Sequence, residues 1–295
     1  KKEQVFAFKA TGKPDLIDFD GARYVLCEKK ENKTTGEYAF QYRNAPLFVQ
    51  RMEALKNLMT AQQKNPEAKT VFIEALNDHA PYLRQFAIDE LDLPKDNKDS
   101  AWQIIANMAQ HDKASNVRRS AVLKLSKSNS ASQYASLFET AIGDSSYAVS
   151  SSALKALNEA DSKTALALAK QFEKTENREM AGSVADVYAK EGDESYQNYF
   201  ENRLRSTGGI NKYSLYYYYA NFLIRMDKNA VLSGIKTIEE ITPAGDNHFL
   251  VGAAKGSLKR IEKSFEDKKK KAQNDAANEQ NQNTKIELQQ KISDY

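Results

Sequence analysis

The sequence predicts a mostly α-helical solenoid of stacked helix pairs, preceded by a short β-strand remnant. Three observations carry this expectation. Ala54, Ala87, Ala121, Ala153 and Ala185 recur at intervals of 33, 34, 32 and 32 residues. Leu58, Leu91, Leu125, Leu157 or Ala189 follows each of them one helical turn later, Asp78, Asp112 and Asp144 precede three of them by nine residues, and Arg51, Arg84 and Arg118 precede three by three residues. A fixed period in this range marks helix pairs that bury their apolar faces only by stacking on their neighbours. The third observation is a change of hydrophobic period, from two residues over 4–45 to 3.6 from Pro46 onward.

Element by element, QVFAFKA alternates apolar and polar residues as a strand does, TGKPD is a turn, LIDFD is a short second strand, and ARYVLCEKK reads as a third. KKENKTTGE is polar and reads as a loop or hairpin. Three short strands with one apolar face are marginal alone and would pack on the first helices or on strands upstream. Asn65-Pro66 then opens a helix through Asn77, and a second runs from Pro81 through Leu91. Asp99-Ser100, Asn116, Ser130, Ser145-Ser146, Asp161-Ser162, Asn177 and Asp193 each stand where a helix should start, and Gly208-Gly209 where one should stop. Asn211 begins KYSLYYYYANFLIRM, and two further helices follow over about 228–241 and 246–271. The expected domains are 1–45, a β segment ending a sandwich-like domain; 46–265, the solenoid; and 266–295, a polar tail that is exposed helix or disorder.

Composition narrows the function classes. The chain has 295 residues, room for one solenoid or two compact domains, and an ordinary balance of 41% hydrophobic and 28% charged residues. A net charge of +3 is too small to argue for a nucleic-acid partner. Cys27 is the single cysteine, so no internal disulfide is possible; this fits a reducing compartment without excluding export. No apolar run is long enough to span a membrane. The chain opens in mid-strand at Lys1, which suggests a soluble fragment of something longer, with any targeting signal upstream.

The recurring residues have a packing explanation. The small Ala lets the second helix of each pair approach its neighbours, and the Leu one turn later fills the space between repeats. The Asp beside the inter-helix turn can cap the second helix, and the Arg can reach the Asp of an adjacent repeat, making a polar ladder. The pattern resembles HEAT or ARM repeats, and HDKASNVRRSAVLKL (111–125) is its best copy; GDSSYAVSSSALKAL (143–157) has serines where Arg is expected, so the ladder should break there.

Little in the chain points to catalysis. His79, His111 and His248 are the only histidines, no H-E-x-x-H occurs, and His79 and His111 read as solvent-facing turn residues. Cys27 reads as a half-buried strand residue rather than a nucleophile. No phosphate-binding or nucleophile-elbow motif is present. Carboxylate neighbours such as Asp89-Glu90 and Glu239-Glu240 read as solvated faces, and the lysine run 268–271 as a solvated helix end or an anion-binding patch. The tyrosine run is the most unusual local feature. Tyr213, Tyr216 and Tyr217 share a helix that is apolar on two faces, which suits a central packed helix or a contact surface for a peptide or adjoining domain.

The N-terminal stretch adds a second resemblance. Pro14, Phe19-Asp20 and Val25-Leu26, followed by RMEAL (51–55) opening the helices, resemble the end of the small β-domain and the HEAT-like C-terminal domain of aminopeptidase N family zinc peptidases. The family's zinc-binding helix, transition-state Tyr and G-x-M-E-N loop are absent, so no catalytic or metal residue carries over and the chain alone should be inert. The resemblance implies a noncatalytic domain covering the active-site cleft of a zinc aminopeptidase and limiting peptide access. Its partners would be the missing catalytic domain and peptides, and zinc would belong to the parent enzyme only. The alternative is a stand-alone HEAT-repeat protein-binding scaffold.

Overall fold

All five repeat alanines are fully buried, and the residues one turn on, Leu58, Leu91, Leu125, Leu157 and Ala189, are buried with them. The alanines lie within the second helix of each pair, and the residues one turn on fall toward or at its end. The computed structural model describes residues 5–94, 96, 98–242, 247–278 and 282–294, and the chain divides into two compact units, Lys1–Ala131 and Ser132–Tyr295.

The first unit holds α1 (Thr35–Asn44), α2 (Phe48–Leu58), α3 (Pro66–Ala75), α4 (Pro81–Glu90), α5 (Ala101–His111) and α6 (Ser115–Ser126). They pair as α1/α2, α3/α4 and α5/α6, with α4 packed on α6 and α1 on α3. The second unit holds α7 (Ala135–Ile142), α8 (Tyr147–Ala160), α9 (Ser162–Ala169), α10 (Arg178–Glu191), α11 (Gln197–Ser206), α12 (Asn211–Leu223), α13 (Lys228–Ile241), α14 (His248–Asn278) and α15 (Gln282–Asp294). Here α8, α10, α12 and α14 pack in succession, and α15 lies on α14.

Local chemistry explains the starts. Asn65, Asp161, Asn177 and Asp227 accept backbone N–H bonds as N-caps. The repeat aspartates do the same at the inter-helix turns: Asp78 accepts from Ala80 N–H at 2.8 Å, Asp112 from Ala114 at 2.9 Å and Asp144 from Ser146 at 2.8 Å.

The arginines form the expected ladder. Arg51 Nε lies 3.0 Å from Asp78 Oδ2, and Arg84 grips both oxygens of Asp112 at 2.7 Å. Each arginine also caps its own turn. Arg84 Nη1 donates to the carbonyl of Asp78 at 2.8 Å, and Arg118 Nη1 to that of Asp112 at 2.8 Å. At the fourth repeat Ser150 occupies the arginine position and donates instead to the Ile142 carbonyl at 2.5 Å. Asp112 is opposed by burial, but the Arg84 hydrogen bonds, the Ala114 amide and the nearby guanidinium charges outweigh it and hold the carboxyl below its usual range.

The second unit is built round aromatic residues. Phe200 stacks on Tyr219 with ring centroids 5.4 Å apart and meets Phe222 at 5.0 Å; Tyr188 meets Tyr199 edge-on at 4.9 Å. The Tyr188 hydroxyl donates to Glu173 and that of Tyr219 to Glu201. Burial first, and these carboxylates second, push both phenols far above the usual tyrosine range.

The N-terminal strands do not form among the described residues. Val5, Phe6 and Phe8 are exposed, and no neighbouring strand offers the hydrogen bonds that an extended segment needs. Around Val25 a turn replaces the third strand: the Asp20 carboxylate accepts from the amides of Tyr24 and Val25 at 2.9 and 2.8 Å. Cys27, expected half-buried, is exposed. Helical structure begins at Thr35, inside the stretch expected to be β, because Thr34 and Glu37 make a reciprocal capping box. At the other end, the polar tail is largely helix. α14 runs on to Asn278 and buries Ala272 and Ala276.

A cluster of charges ties residues 18–33 to α1 and α2. The carboxylates of Asp18, Glu31 and Glu53 lie within 4.8 Å of one another, a spacing that would suit a cation. The cations are already supplied by the chain. Lys29 reaches Asp18 at 2.6 Å, Glu31 at 3.0 Å and Glu53 at 3.4 Å; Lys33 reaches Glu31 at 2.8 Å; Arg23 reaches Glu53 at 2.5 Å. Gln41 and Gln50 complete the network. Three carboxylates facing three cations need no metal.

Candidate protein-binding groove

The α13 helix shows why a groove opens in the second unit. Asp227 caps it, and its apolar residues spread over more than one face. One face, with Gly234, Val231 and Ile238, is buried. Gly234 lets α13 approach α12 closely: a Cβ there would lie 2.5 Å from Leu223 Cδ2 and 2.9 Å from the Tyr219 hydroxyl. The adjoining face, with Leu232 and Ile235, turns toward α14 without closing on it.

Between the two helices lies an apolar groove of about 630 Å³, floored by Val231, Ile235, Leu258, Ile261 and Phe265. Leu232 stands on its edge with 58% of its surface exposed. Lys228, Lys255 and Lys259 line the groove along with Glu239 and Glu262. None of these five makes an ion pair among the described residues, so the rim offers both signs of charge to an incoming surface.

The tyrosines divide in the structure. Tyr216 is fully buried, its hydroxyl 2.5 Å from Thr242 Oγ1, and belongs to the packed interior. Tyr213 and Tyr217 are about half exposed. Tyr213 stacks on the equally exposed Phe249 with centroids 4.9 Å apart, and the Arg260 guanidinium lies 4.9 Å above the Tyr217 ring. Nearby, Lys268 is half-buried and donates to the Ile224 carbonyl at the end of α12, whereas Lys269, Lys270 and Lys271 are exposed.

Another apolar patch lies in the first unit, where Phe48 and Tyr82 meet edge-on at 6.0 Å beside Val49 and Met52. His79 and His111 are exposed at the turns, as expected, and share a polar groove with Arg84 and Asp112. His79 has neighbours the sequence did not reveal: Arg51 Nη2 lies 3.0 Å from its Nε2, and Asp78 lies 3.5 Å from its Nδ1.

Comparison with solved structures identifies the architecture. YibA of Escherichia coli superposes with a TM-score of 0.53 over 92% of this chain and 100% of its own, at 17% sequence identity. The fold is a HEAT-like helical solenoid. The CpcE–CpcF complex of phycocyanin lyase from Nostoc matches with a TM-score of 0.46 at 15% identity, over 82% of this chain and 98% of that one. Human deoxyhypusine hydroxylase matches with a TM-score of 0.36 at 12% identity, over 77% and 96%. No protein-family model matches the sequence, and no curated protein matches it significantly.

These findings overturn the resemblance to the aminopeptidase N family. The structure that superposes over nearly the whole chain, YibA, is a HEAT-like helical protein rather than an aminopeptidase. The strands on which the resemblance partly rested are not formed among the described residues. Nothing supports a peptidase, a hydrolase or zinc for this chain. No helix among the described residues is long and apolar enough to cross a membrane.

Proposed function

We propose that the chain is a protein-binding scaffold whose α13–α14 groove receives the apolar face of a partner helix. The observation that carries this reading is the groove itself, an apolar trough with Leu232 exposed on its edge and charges of both signs along its rim. An apolar stripe between two helices is the usual seat for an amphipathic helix, which places side chains at i, i+3, i+4 and i+7 into the trough and polar residues against the rim. The HEAT-like fold agrees with this, since stacked helix pairs present long surfaces for partners. Tyr213, Tyr217 and Phe249 give a second exposed aromatic patch on α12 and α14, suited to a peptide or an adjoining domain.

The test compares partners retained by the wild-type chain and by Leu232→Glu, using affinity capture with crosslinking and mass spectrometry. Leu232 is exposed, so the variant should fold normally. The reading requires a stoichiometric partner that crosslinks to Lys255 or Lys259 and is lost from Leu232→Glu. Equal capture by both chains would overturn it.

A further inference from the structure

The Arg–Asp ladder defines a position that changes character in the second unit. In α2, α4 and α6 the residue three before the repeat alanine is Arg51, Arg84 or Arg118. Each donates to the carbonyls of its own inter-helix turn, six and five residues earlier. In α10 the same position, three before Ala185, is Gly182, and a Cβ built there meets no atom within 4 Å. The acidic position nine before Ala185 is Glu176. Where the first three repeats place an arginine and the fourth a serine, this one has open space.

That space is a cavity of about 330 Å³ lined by residues of α10, α11 and α12 and the turns beside them. Two arginines reach it from other positions. Arg203, on α11, donates to the Thr175 carbonyl at 2.8 Å and so serves the turn that a ladder arginine would otherwise serve. Among the described residues it has no carboxylate partner, and its buried Nε has no hydrogen-bond partner. Arg178, at the start of α10, is exposed and makes no ion pair among the described residues. Opposite them stand the side chains of Thr207, Asn211 and Ser214, none of which hydrogen-bonds elsewhere among the described residues. Glu176 is the one carboxylate in the lining, and it is exposed.

An arginine without a counter-ion beside a half-enclosed cavity is a demand for negative charge. Two guanidinium groups together with hydroxyl and amide donors suit an oxyanion with several acceptor oxygens better than a single carboxylate. The first turn of α12 adds its positive end, because Ile210 at its N-cap supplies no side-chain acceptor. We propose that this cavity binds a phosphate group, either free or carried as a phosphomonoester on a side chain of a partner. Arg178 and Arg203 provide the charge, and Thr207, Asn211 and Ser214 provide the orientation. The vacant ladder position at Gly182 provides the room.

Calorimetric titration of the purified chain with inorganic phosphate and with N-acetyl-O-phosphoserine amide tests this. Gly182→Arg restores the ladder residue and fills the cavity, so binding should fall at least tenfold. Gly182→Ala leaves the space open and should bind as the wild type does. Arg178→Gln removes an exposed charge without touching the interior and should weaken binding three- to tenfold. Leu232→Glu, which disables the α13–α14 groove, should leave it unchanged and so separates this site from the proposed helix groove. Equal affinity for the two ligands identifies the free anion; at least tenfold tighter binding of the phosphoserine derivative identifies a phosphorylated partner. Absence of binding to both ligands, or binding undiminished in both Gly182→Arg and Arg178→Gln, would overturn the proposal.

Discussion

Arg84 holds Asp112 by two parallel hydrogen bonds of 2.7 Å, one to each carboxylate oxygen, across 28 residues of sequence. The Asp112 side chain is 8% exposed and that of Arg84 14%. This is the fork-to-carboxylate geometry that gives an ion pair direction as well as strength. It joins α4 to the turn that starts α6, so one pair couples two successive repeats.

Arg84→Met should therefore destabilise the first unit by about 3 kcal/mol, because it leaves a poorly hydrated carboxylate without its partner. Replacing both residues, as Arg84→Met with Asp112→Asn, which removes the charge and keeps an acceptor for the Ala114 amide, should recover part of that loss. Urea unfolding of the three chains checks this. A single variant as stable as the wild type would show the rung to be energetically idle.

The same pair sets a response to acid. Asp112 and Asp18 both titrate below the ordinary aspartate value near 3.8, since their arginine and lysine partners overcome the opposing effect of burial. A carboxyl group whose pKa is depressed by folding contributes stability that is complete above its unfolded value and is lost as pH falls through the folded one. Melting temperature should hold steady down to about pH 5 and then drop steeply below about pH 4. In Arg84→Met the drop should be shallower, because the Arg84 hydrogen bonds and charge that hold the Asp112 carboxyl low have gone.

Gly234 gives a case in which helix propensity and packing oppose each other. Alanine in an exposed helix interior is favoured over glycine by about 1 kcal/mol. At Gly234 the new methyl would meet Leu223 at 2.5 Å and the Tyr219 hydroxyl at 2.9 Å. Overpacking of this kind costs about 1–3 kcal/mol, so Gly234→Ala should be destabilising on balance. Thermal melts of the variant decide the sign.

Phe200 has no exposed surface and touches Tyr199, Tyr219 and Phe222 with centroids 5.0 to 5.4 Å apart. Phe200→Ala should cost the second unit about 3–5 kcal/mol. Near-ultraviolet circular dichroism, dominated by the packed tyrosines, should lose amplitude before the far-ultraviolet signal does.

Much of the helical architecture could be read in advance because its determinants are local and repeat. The five alanines, the capping aspartates and the arginines at 51 and 84 act within one helix pair and the next, and their spacing in sequence is their spacing in the stack. The break in the ladder at Ser150 was legible for the same reason. The N-terminal segment was not. Alternation in QVFAFKA describes what a strand would look like, but a strand exists only with a partner, and pairing is a property of distant chain. The capping box of Thr34 and Glu37 was a visible signal for α1 that the alternation of the preceding residues overshadowed.

The candidate sites were harder to read, for a related reason. Beyond Gly208 the repeat period lapses, so nothing in the spacing showed that Leu232 and Ile235 would face Leu258 and Phe265 across a gap. Tyr213, Tyr216 and Tyr217 look alike in sequence, and only the packing of α12 against α14 separates the buried one from the exposed two. The cavity beside α10 did leave a trace: Gly182 stands in register where an arginine belongs.

The rungs Arg51–Asp78 and Arg84–Asp112 use the same two residue types, the same helix position and nearly the same separation, 27 and 28 residues. They are thus interchangeable parts. If one helix pair were excised or duplicated in frame, the arginine on one side of the seam would meet an aspartate in the place of the one it lost. In a chain joined in this way, a change of length by whole helix pairs would leave the charged contact at the join already matched.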